Sequence, residues 1–516
     1  MRALAKVVSA TEAVAQIPSS SVVAVSGFVG AGHPELLTVE LERRFLQTGQ
    51  PRDLTLVYAA GQGDGANRGL NHLAHPGLVR RVIGGHWNLA PKMVRLAMED
   101  KIEAYNFPQG VLSVLFREIA AKRAGVITKV GLDTCVDPHH GGGRCNPRTK
   151  ESLVERIQLG GEDWLWYRTI PLGVGFIRAT KADSFGNLSM ANEALIGEVL
   201  PIAQAAHNHG GIVIAQVEEL VERIEDPKSV CVPGILVDYV VLSDPAHHEQ
   251  TFAGGFEQGF VKRRGTYTKV TTLPLSERTI VARRALKEIR KGDIVNLGIG
   301  MPEAIASVAY EVNRLRDFTL TVESGPIGGI PAGGMNFGCS YDPEAIIDQP
   351  AQFDFYDGGG LDVAALGAIE VDEEGSVNVS TFPDRFAGVG GFINISQNTK
   401  KILFCCSFRA GGLAVSVGLD GNLCIRNEGR HSKFVKRVRS ICFHGPSARQ
   451  RGQEVLYITD RAVFRLGDKG LELLETAPGM DLQRDILARM DFRPVLHKPM
   501  GMPADCFPAP SPNASL

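Results

Sequence analysis

Short apolar runs alternate with longer amphipathic stretches along most of this chain, the rhythm of βα units in an α/β protein. Ser21-Val-Val-Ala-Val25 is an unbroken apolar run of strand length and predicts a buried strand. A glycine-rich turn follows it, and Pro34 to Phe45 predicts a helix with proline near its first turn. The second half repeats the order: a strand over Ile294-Val-Asn-Leu297, a turn over Gly298 to Gly300, then a helix from Pro302 to about Leu315. Gly211-Ile-Val-Ile-Ala-Gln216 and Lys400-Lys-Ile-Leu-Phe-Cys-Cys406 predict a further matched pair of strands, and a new amphipathic helix begins near Ser276. Two related open-sheet α/β domains account for this pattern.

The relation between the halves extends to individual residues. Arg316-Asp-Phe-Thr-Leu-Thr-Val-Glu323 repeats Arg52-Asp-Leu-Thr-Leu-Val-Tyr-Ala59, and Gly298-Ile-Gly300-Met-Pro302-Glu303 repeats Gly30-Ala-Gly32-His-Pro34-Glu35. Ala182-Asp183-Ser-Phe-Gly186-Asn and Val371-Asp372-Glu-Glu-Gly375-Ser are a third pair, both resembling hairpin turns. Glu323 falls on Ala59, so only one copy carries the carboxylate. A duplication with that asymmetry suggests that one copy does chemistry and the other completes the site.

Length and charge narrow the class. A chain of 516 residues is too long for one core. The expected division is residues 1–261, a polar linker over 262–275, a second domain over 276–497 that carries Glu323, and a Pro- and Ser-rich, poorly ordered tail over 498–516. The net charge of −2 gives no basic field for nucleic acid. No run approaches the roughly 18 apolar residues of a membrane span, and the start has no signal-like apolar core. The nine cysteines are scattered without paired spacing, which suits reduced thiols in a cytoplasm.

The glycine-rich turns each follow a strand and open a helix, a context in which backbone amides can approach an anion. Neither completes a dinucleotide G-x-G-x-x-G, because Glu35 and Glu303 stand where that motif needs its last glycine. The repeated Pro-Glu endings suggest a shared ligand-facing role. Three more glycine clusters, Gly325 to Gly334, Gly358 to Gly360 and Gly388 to Gly391, are more than turns alone require. They would suit a site that wraps a thioester and offers N–H groups to a developing oxyanion.

Glu323-Ser-Gly-Pro-Ile-Gly-Gly-Ile-Pro-Ala-Gly-Gly-Met-Asn-Phe-Gly338 and Gln352-Phe-Asp-Phe-Tyr-Asp-Gly-Gly-Gly-Leu-Asp362 resemble the class I coenzyme A transferases. The likeness is greatest to single-chain forms that act on short acyl-CoAs. Ser26-Gly-Phe-Val-Gly-Ala-Gly-His-Pro-Glu35 and Phe107-Pro-Gln109-Gly110 extend it into the first half. The resemblance implies that Glu323 is the nucleophile, that Gln109 helps bind an acyl or carboxylate oxygen, and that Gly390 or Gly391 completes an oxyanion hole. It further implies coenzyme A contacts from Gly298, Ile299, Gly300, Met301 and Pro302, and from Asn378 and Lys400. Acyl-CoA and short-chain carboxylates would be the substrates, coenzyme A passing through as substrate with no permanently bound cofactor. Relatives are homo-oligomers, dimers or tetramers. An acyl-CoA hydrolase and a non-catalytic acyl-CoA binder are the alternatives on the same scaffold.

Other residues invite different chemistry. Asp133-Thr-Cys135-Val-Asp137-Pro-His139-His140-Gly-Gly-Gly-Arg-Cys145 holds metal-binding residue types, but its spacing is not that of a zinc site, and a loop is expected with no metal. Cys405 and Cys406 lie in an apolar run, where buried inert thiols are usual. Val29 and Met335 are candidates to shape an acyl pocket.

Overall fold

The computed structural model describes residues 6–263 and 273–508. It divides into two compact units. The first comprises residues up to Gly265 together with Val322–Phe355 and Pro383–Asn394; the second holds Thr266–Thr321, Tyr356–Phe382 and Ile395 onward. The division by packing thus differs from the division by sequence repeat. Glu323, expected in the second domain, folds with the first half of the chain.

The first unit is built on a sheet of β1 (Lys6–Val7), β2 (Val22–Val25), β3 (Leu54–Tyr58), β4 (Val79–Gly84), β5 (Glu103–Asn106), β6 (Val174–Asp183), β7 (Ile212–Val221) and β8 (Tyr239–Leu242). The spatial order is β1-β8-β7-β6-β2-β3-β4-β5, and every neighbouring pair on this path is parallel. Strands of such a sheet are covered on both faces, which is why they read as continuous apolar runs. The order changes direction at β6/β2, so the carboxyl ends of the strands there form a topological switch point, where open α/β sheets bind ligands. Helix α1 (Glu35–Thr48) follows the Gly27–Gly32 turn with Pro34 as its N-cap, and α2 (Gln109–Ala120) follows β5 with Pro108 as its N-cap. The core of this unit packs Val23, Val25, Leu54, Leu56, Tyr58 and Trp87 with α1 residues Leu37 and Leu41.

In the second unit, β9 (Ile294–Leu297), β10 (Thr319–Thr321), β11 (Val363–Leu366), β12 (Lys401–Cys405) and β13 (Glu454–Ile458) run parallel in the order β10-β9-β11-β12-β13. The sheet continues through antiparallel β14 (Ala462–Gly467) and β15 (Gly470–Thr476) to β16 (Val495–Gly501). Its core is aromatic: Phe404 lies 5.0 Å from Phe443, and Phe434 lies 4.9 Å from Phe464, centroid to centroid.

Both predicted hairpins form, with Leu188 paired to Ala182 and Asn378 paired to Glu370. They close alike. Asp183 Oδ1 accepts from the N–H groups of Phe185 and Asn187, and Asp372 Oδ1 accepts from those of Glu374 and Ser376. Gly186 and Gly375 sit at φ of 78° and 81°, the left-handed region that glycine enters freely.

Two expectations are corrected. The helix after Pro302 is shorter than its apolar pattern, a 3₁₀ turn over Met301–Glu303 followed by an α-helix over Ala304–Glu311. Beyond that helix Asn313 turns left-handed, with φ of 57°. The segment from Lys498 is also structured as far as residue 508. It completes β16 and adds a 3₁₀ turn, Ala504–Cys506, with Cys506 and Phe507 buried. Its Pro and Ser content hid a few apolar anchors. Residues 509–516, and most of the expected 262–275 linker, lie outside the described residues.

A buried ionic cluster fastens α1 to the 3₁₀ turn Leu70–Leu73. Glu35 faces His72 at 3.2 Å and accepts from the Gly69 N–H at 2.9 Å, while Glu42 accepts from His75 at 2.6 Å. Burial alone would lower the His72 pKa, but hydrogen bonds to Glu35 and Glu42 and their charges raise it to about 9. A raised histidine pKa stabilises fully below its ordinary value of 6.5, and the contribution is lost as pH rises through about 9. We therefore expect thermal melts of the native protein to fall between about pH 7 and about pH 10 by more than those of His72→Gln, whose side chain does not titrate there. Equal slopes for the two proteins would contradict this account.

Candidate active site

Glu323 and Ser324 sit on a tight turn just past the carboxyl end of β10. The Gly325 N–H donates to the Val322 carbonyl at 3.0 Å, and the Val322 N–H donates to the Pro326 carbonyl at 3.0 Å. Gly325 has φ of 129°, and a Cβ there would lie 2.0 Å from the Ile347 carbonyl oxygen, so only glycine fits. Ser324 is fully buried and its Oγ donates to the Gly338 carbonyl. Gly338 in turn packs on Phe28, because a Cβ there would lie 2.4 Å from that ring. Glu323 is itself 7% exposed. The carboxylate is therefore carried on a backbone turn fixed from both sides.

An apolar cluster adjoins this turn. Phe28, Val29, Ala31, Ala60, Leu195, Phe260 and Phe337 pack together, with Met335 against them. Val29 and Met335, expected to shape an acyl pocket, both belong to it. Val29 holds φ of 55°, costly for a β-branched residue, where the turn Phe28–Ala31 doubles back on itself.

A second loop cluster in the same unit brings together residues far apart in sequence. The Gln109 N–H donates to the Gly390 carbonyl at 2.9 Å, and the Gly110 N–H donates to Asn394 Oδ1 at 3.0 Å. Asn106 Nδ2 donates to the carbonyls of Gly84 at 3.0 Å and Gly85 at 2.6 Å, and its Oδ1 accepts from the Val389 N–H at 2.9 Å. Trp87 adds a backbone bond to the Ala387 carbonyl at 2.6 Å and an edge-on ring contact with Phe386. The loop Phe386–Gly391 is thereby pinned to the ends of β4 and β5.

Within this cluster Gln109 is 3% exposed, and its Nε2 has no hydrogen-bond partner among the described residues. A buried donor left without a partner costs free energy, and ligand binding relieves that cost. The two candidate oxyanion glycines separate here. The Gly390 N–H donates to the Gly85 carbonyl at 2.7 Å and is committed. The Gly391 N–H donates to nothing among the described residues.

Known proteins carry the same architecture. A caffeate CoA-transferase of Acetobacterium woodii is 45% identical over 508 residues, covering 96% of this chain and 95% of that protein. The chain belongs to the coenzyme A transferase family. The family model itself, Coenzyme A transferase, matches residues 7–243. The acetate CoA-transferase YdiF of Escherichia coli K12 is likewise 45% identical, over 95% of this chain and 92% of that one. A crystal structure of an acyl-CoA transferase of E. coli O157:H7 (YdiF), in a thioester complex with CoA, superposes with a TM-score of 0.92 at 42% identity, covering 98% of this chain and 96% of that one. This CoA-transferase is thus an enzyme of the acyl-CoA-metabolising kind.

The remaining site candidates of the CoA-transferase lie in its second unit. Gly298 donates its N–H to the Ala365 carbonyl at 2.8 Å, and Gly300 takes φ of 88°. The loop exposes the Ile299 side chain, leaves Met301 half-buried and buries Pro302. Asn378 and Lys400 are otherwise occupied. Asn378 is fully buried, donating to Glu370 and the Thr381 carbonyl while accepting from the N–H groups of Ser380 and Thr381. Lys400 Nζ pairs with Asp362 at 2.7 Å on the surface. The Asn378 amide is thus engaged within the protein, whereas Lys400 makes this ion pair from a side chain that is 67% exposed. The repeated Pro-Glu endings differ. Glu35 is taken up by Gly69, Arg68 and His72, whereas Glu303 pairs with Arg278 through Oε2 at 2.8 Å and leaves Oε1 buried without a hydrogen-bond partner among the described residues.

The cysteine- and histidine-bearing segment 133–145 forms a loop, as expected. Asp137 accepts from the His139 N–H and from Arg156, and the Cys145 N–H donates to the Ala104 carbonyl. Among the described residues no group of three or more His, Cys, Asp and Glu side chains is arranged to hold a metal ion. Cys405 and Cys406 are buried, and burial raises both thiols above their ordinary range.

Asn106 is the structural residue that sequence reading missed. We expect Asn106→Ala to cost about 2–4 kcal/mol of stability, since it strands two carbonyls and one N–H in a buried loop. It should also lower turnover by freeing the loop that carries Gly391. Paired melts and acyl-transfer assays test this; an unchanged melt with full turnover would show that the loop is held by other means.

Proposed function

We propose that this CoA-transferase moves coenzyme A from a short-chain acyl-CoA to acetate or another short carboxylate, by ping-pong chemistry through a thioester on Glu323. The observation that carries the reading is the placement of Glu323, a buried carboxylate fixed on a strand-end turn. Support comes also from two full-length relatives that bear the name CoA-transferase, one of them acetate CoA-transferase, and from the YdiF structure solved as a thioester complex with CoA.

The chemistry follows from the groups present. Glu323 attacks the acyl carbonyl, the carbon–sulfur bond breaks, and a mixed anhydride and CoA thiolate result. The thiolate then attacks the glutamyl carbonyl, giving the Glu323–CoA thioester and releasing the first carboxylate. An incoming carboxylate attacks that thioester to re-form an anhydride. The thiolate takes the new acyl group and returns Glu323 as a carboxylate. Every intermediate stays activated, so no nucleotide triphosphate is consumed. A thiol of pKa about 8.5 is a competent leaving group at each thioester.

Each anhydride step places negative charge on a carbonyl oxygen. Gln109 Nε2 and the Gly391 N–H, both unengaged, are the donors this reading assigns to such an oxygen. Gly390 contributes its carbonyl to Gln109 instead of its N–H to the substrate. The loop Gly298–Pro302, with Ile299 presented outward, is assigned to coenzyme A. Asn378 and Lys400 are left out. Coenzyme A enters and leaves as substrate. A cytoplasmic homo-oligomer is the setting in which this reading places the enzyme, and no helix of the described residues is long and apolar enough to cross a membrane.

The test is covalent trapping. Acyl-CoA is added without acceptor, the thioester is reduced with borohydride, and the modified peptide is located by mass spectrometry. We expect modification at Glu323, loss of activity, and no steady release of free CoA with or without a carboxylate, the acceptor leaving as its own CoA thioester. Glu323→Ala should lose at least about a thousandfold in transfer rate, and Glu323→Asp about a hundredfold, since it draws the carboxylate back by one methylene. Transfer at the native rate by Glu323→Ala would end the proposal, and CoA release independent of acceptor would convert it to a hydrolase.

A further inference from the structure

The Gly84-Gly85-His86-Trp87 turn at the end of β4 presents one side chain that the chemistry above does not use. The His86 ring lies between two glycines of the loop cluster. A Cβ built on Gly61 would lie 2.6 Å from His86 Nδ1, and one built on Gly390 would lie 3.7 Å from His86 Cδ2 and 3.8 Å from Gln109 Oε1. Gly85 is as close to Gln109, since a Cβ there would lie 3.1 Å from the Gln109 Cα. The imidazole and the Gln109 amide are therefore neighbours across Gly390. A side chain at 61 would press on the ring, so the glycine there keeps its space.

The ring is half-buried, and neither of its nitrogens bonds to any group among the described residues. That is unlike the other histidines enclosed in this unit. His33 faces Gln62 and Thr38, His72 faces Glu35 and Glu42, and His248 faces Glu193 and Gln216. Each of those is a satisfied structural histidine. Desolvation lowers the His86 pKa to about 4, so the ring is neutral across the physiological range. A neutral imidazole carries one N–H donor, which can polarise an oxygen without forming an ion pair to the carboxylate product.

The position fits the internal repeat. His86 touches Gly61, two residues past Ala59, which is the counterpart of Glu323 in the first copy. Ala60 lies between them and packs in the apolar cluster with Phe28 and Phe337, next to the Ser324–Gly338 contact. A continuous line of contacts thus runs from the nucleophile's turn to the imidazole, all within the first unit.

We propose that His86 is a substrate-contacting residue of the transferase, donating beside Gln109 Nε2 to an oxygen of the bound carboxylic acid or acyl group. The inference rests on the Glu323 reading and adds a residue to it. The same acid-binding pocket serves donor and acceptor in turn, so His86 acts in both halves of the exchange.

The test uses the full-length enzyme with acetyl-CoA as donor and propionate as acceptor, each varied independently. His86→Ala should lower kcat/KM for propionate by about 10–100-fold while its melting temperature stays near native. Free imidazole should restore part of the rate to His86→Ala and none to His86→Phe, whose ring fills the space without donating. His86→Asn, which keeps a donor, should fall between the native enzyme and His86→Ala. Native kcat/KM in His86→Ala overturns the proposal. So does a loss that follows the folded fraction, with no rescue by imidazole and none by asparagine. The two readings fail separately: an active Glu323→Ala removes the covalent mechanism, whereas an inactive Glu323→Ala beside an unaffected His86→Ala removes this inference alone.

Discussion

The site depends on one backbone constraint, the closeness of Gly325 to the Ile347 carbonyl. No Cβ fits between them, and the Ile347 N–H returns a bond to the Gly325 carbonyl at 3.1 Å. This contact closes the turn on which Glu323 rides. A carboxylate is a modest nucleophile, so position has to supply much of its advantage. Here position is written into main-chain geometry, with Ser324 and Gly338 bracing the other side.

The opposing loop cluster is built differently. Its strands end at different points along the chain, and amide groups bridge what packing cannot. Asn106 satisfies two carbonyls and one N–H at once, and Asn394 takes up the N–H of Gly110, the second residue of α2. These bonds spend most of the polar capacity of the loops internally. What is left over is informative: Gln109 Nε2, the Gly391 N–H and the His86 ring stay uncommitted, as does the buried Tyr58 hydroxyl beside Gly84. In an interior where nearly all polar groups are paired, unpaired ones gathered in one place mark where a ligand belongs.

Much of the fold could be read from the chain. Val22–Val25, Ile294–Leu297 and Lys401–Cys405 appear as strands because parallel strands covered on both faces are apolar throughout. The hairpins at Asp183 and Asp372 were visible because aspartate and glycine do fixed jobs at fixed offsets. Glu323 stood out through the unequal repeat. Asn106 and His86 did not, since neither sits in a period or motif and both take their meaning from partners far away in sequence. At Asn378 and Lys400 the residue types suggested ligand contacts, and the structure shows protein partners for both, Glu370 and Thr381 for the one and Asp362 for the other. Hydrophobic period overextended the helix after Pro302, and proline content concealed the structure from 498 to 508. The membership of Glu323 in the first unit was hidden for a simpler reason: repeats report ancestry, whereas packing reports contact.

That membership has a consequence for how the enzyme is made. A ribosome releases the first half well before it reaches Val322–Phe355 and Pro383–Asn394, the segments that finish the first unit. Until they emerge, Phe28, Ala60 and Leu195 lack Phe337 and Cys339, and Asn106 lacks Val389. The nascent chain must carry that open apolar surface through the synthesis of more than a hundred residues, from about 263 to 394. Such exposure during synthesis is the circumstance in which chaperones earn their keep.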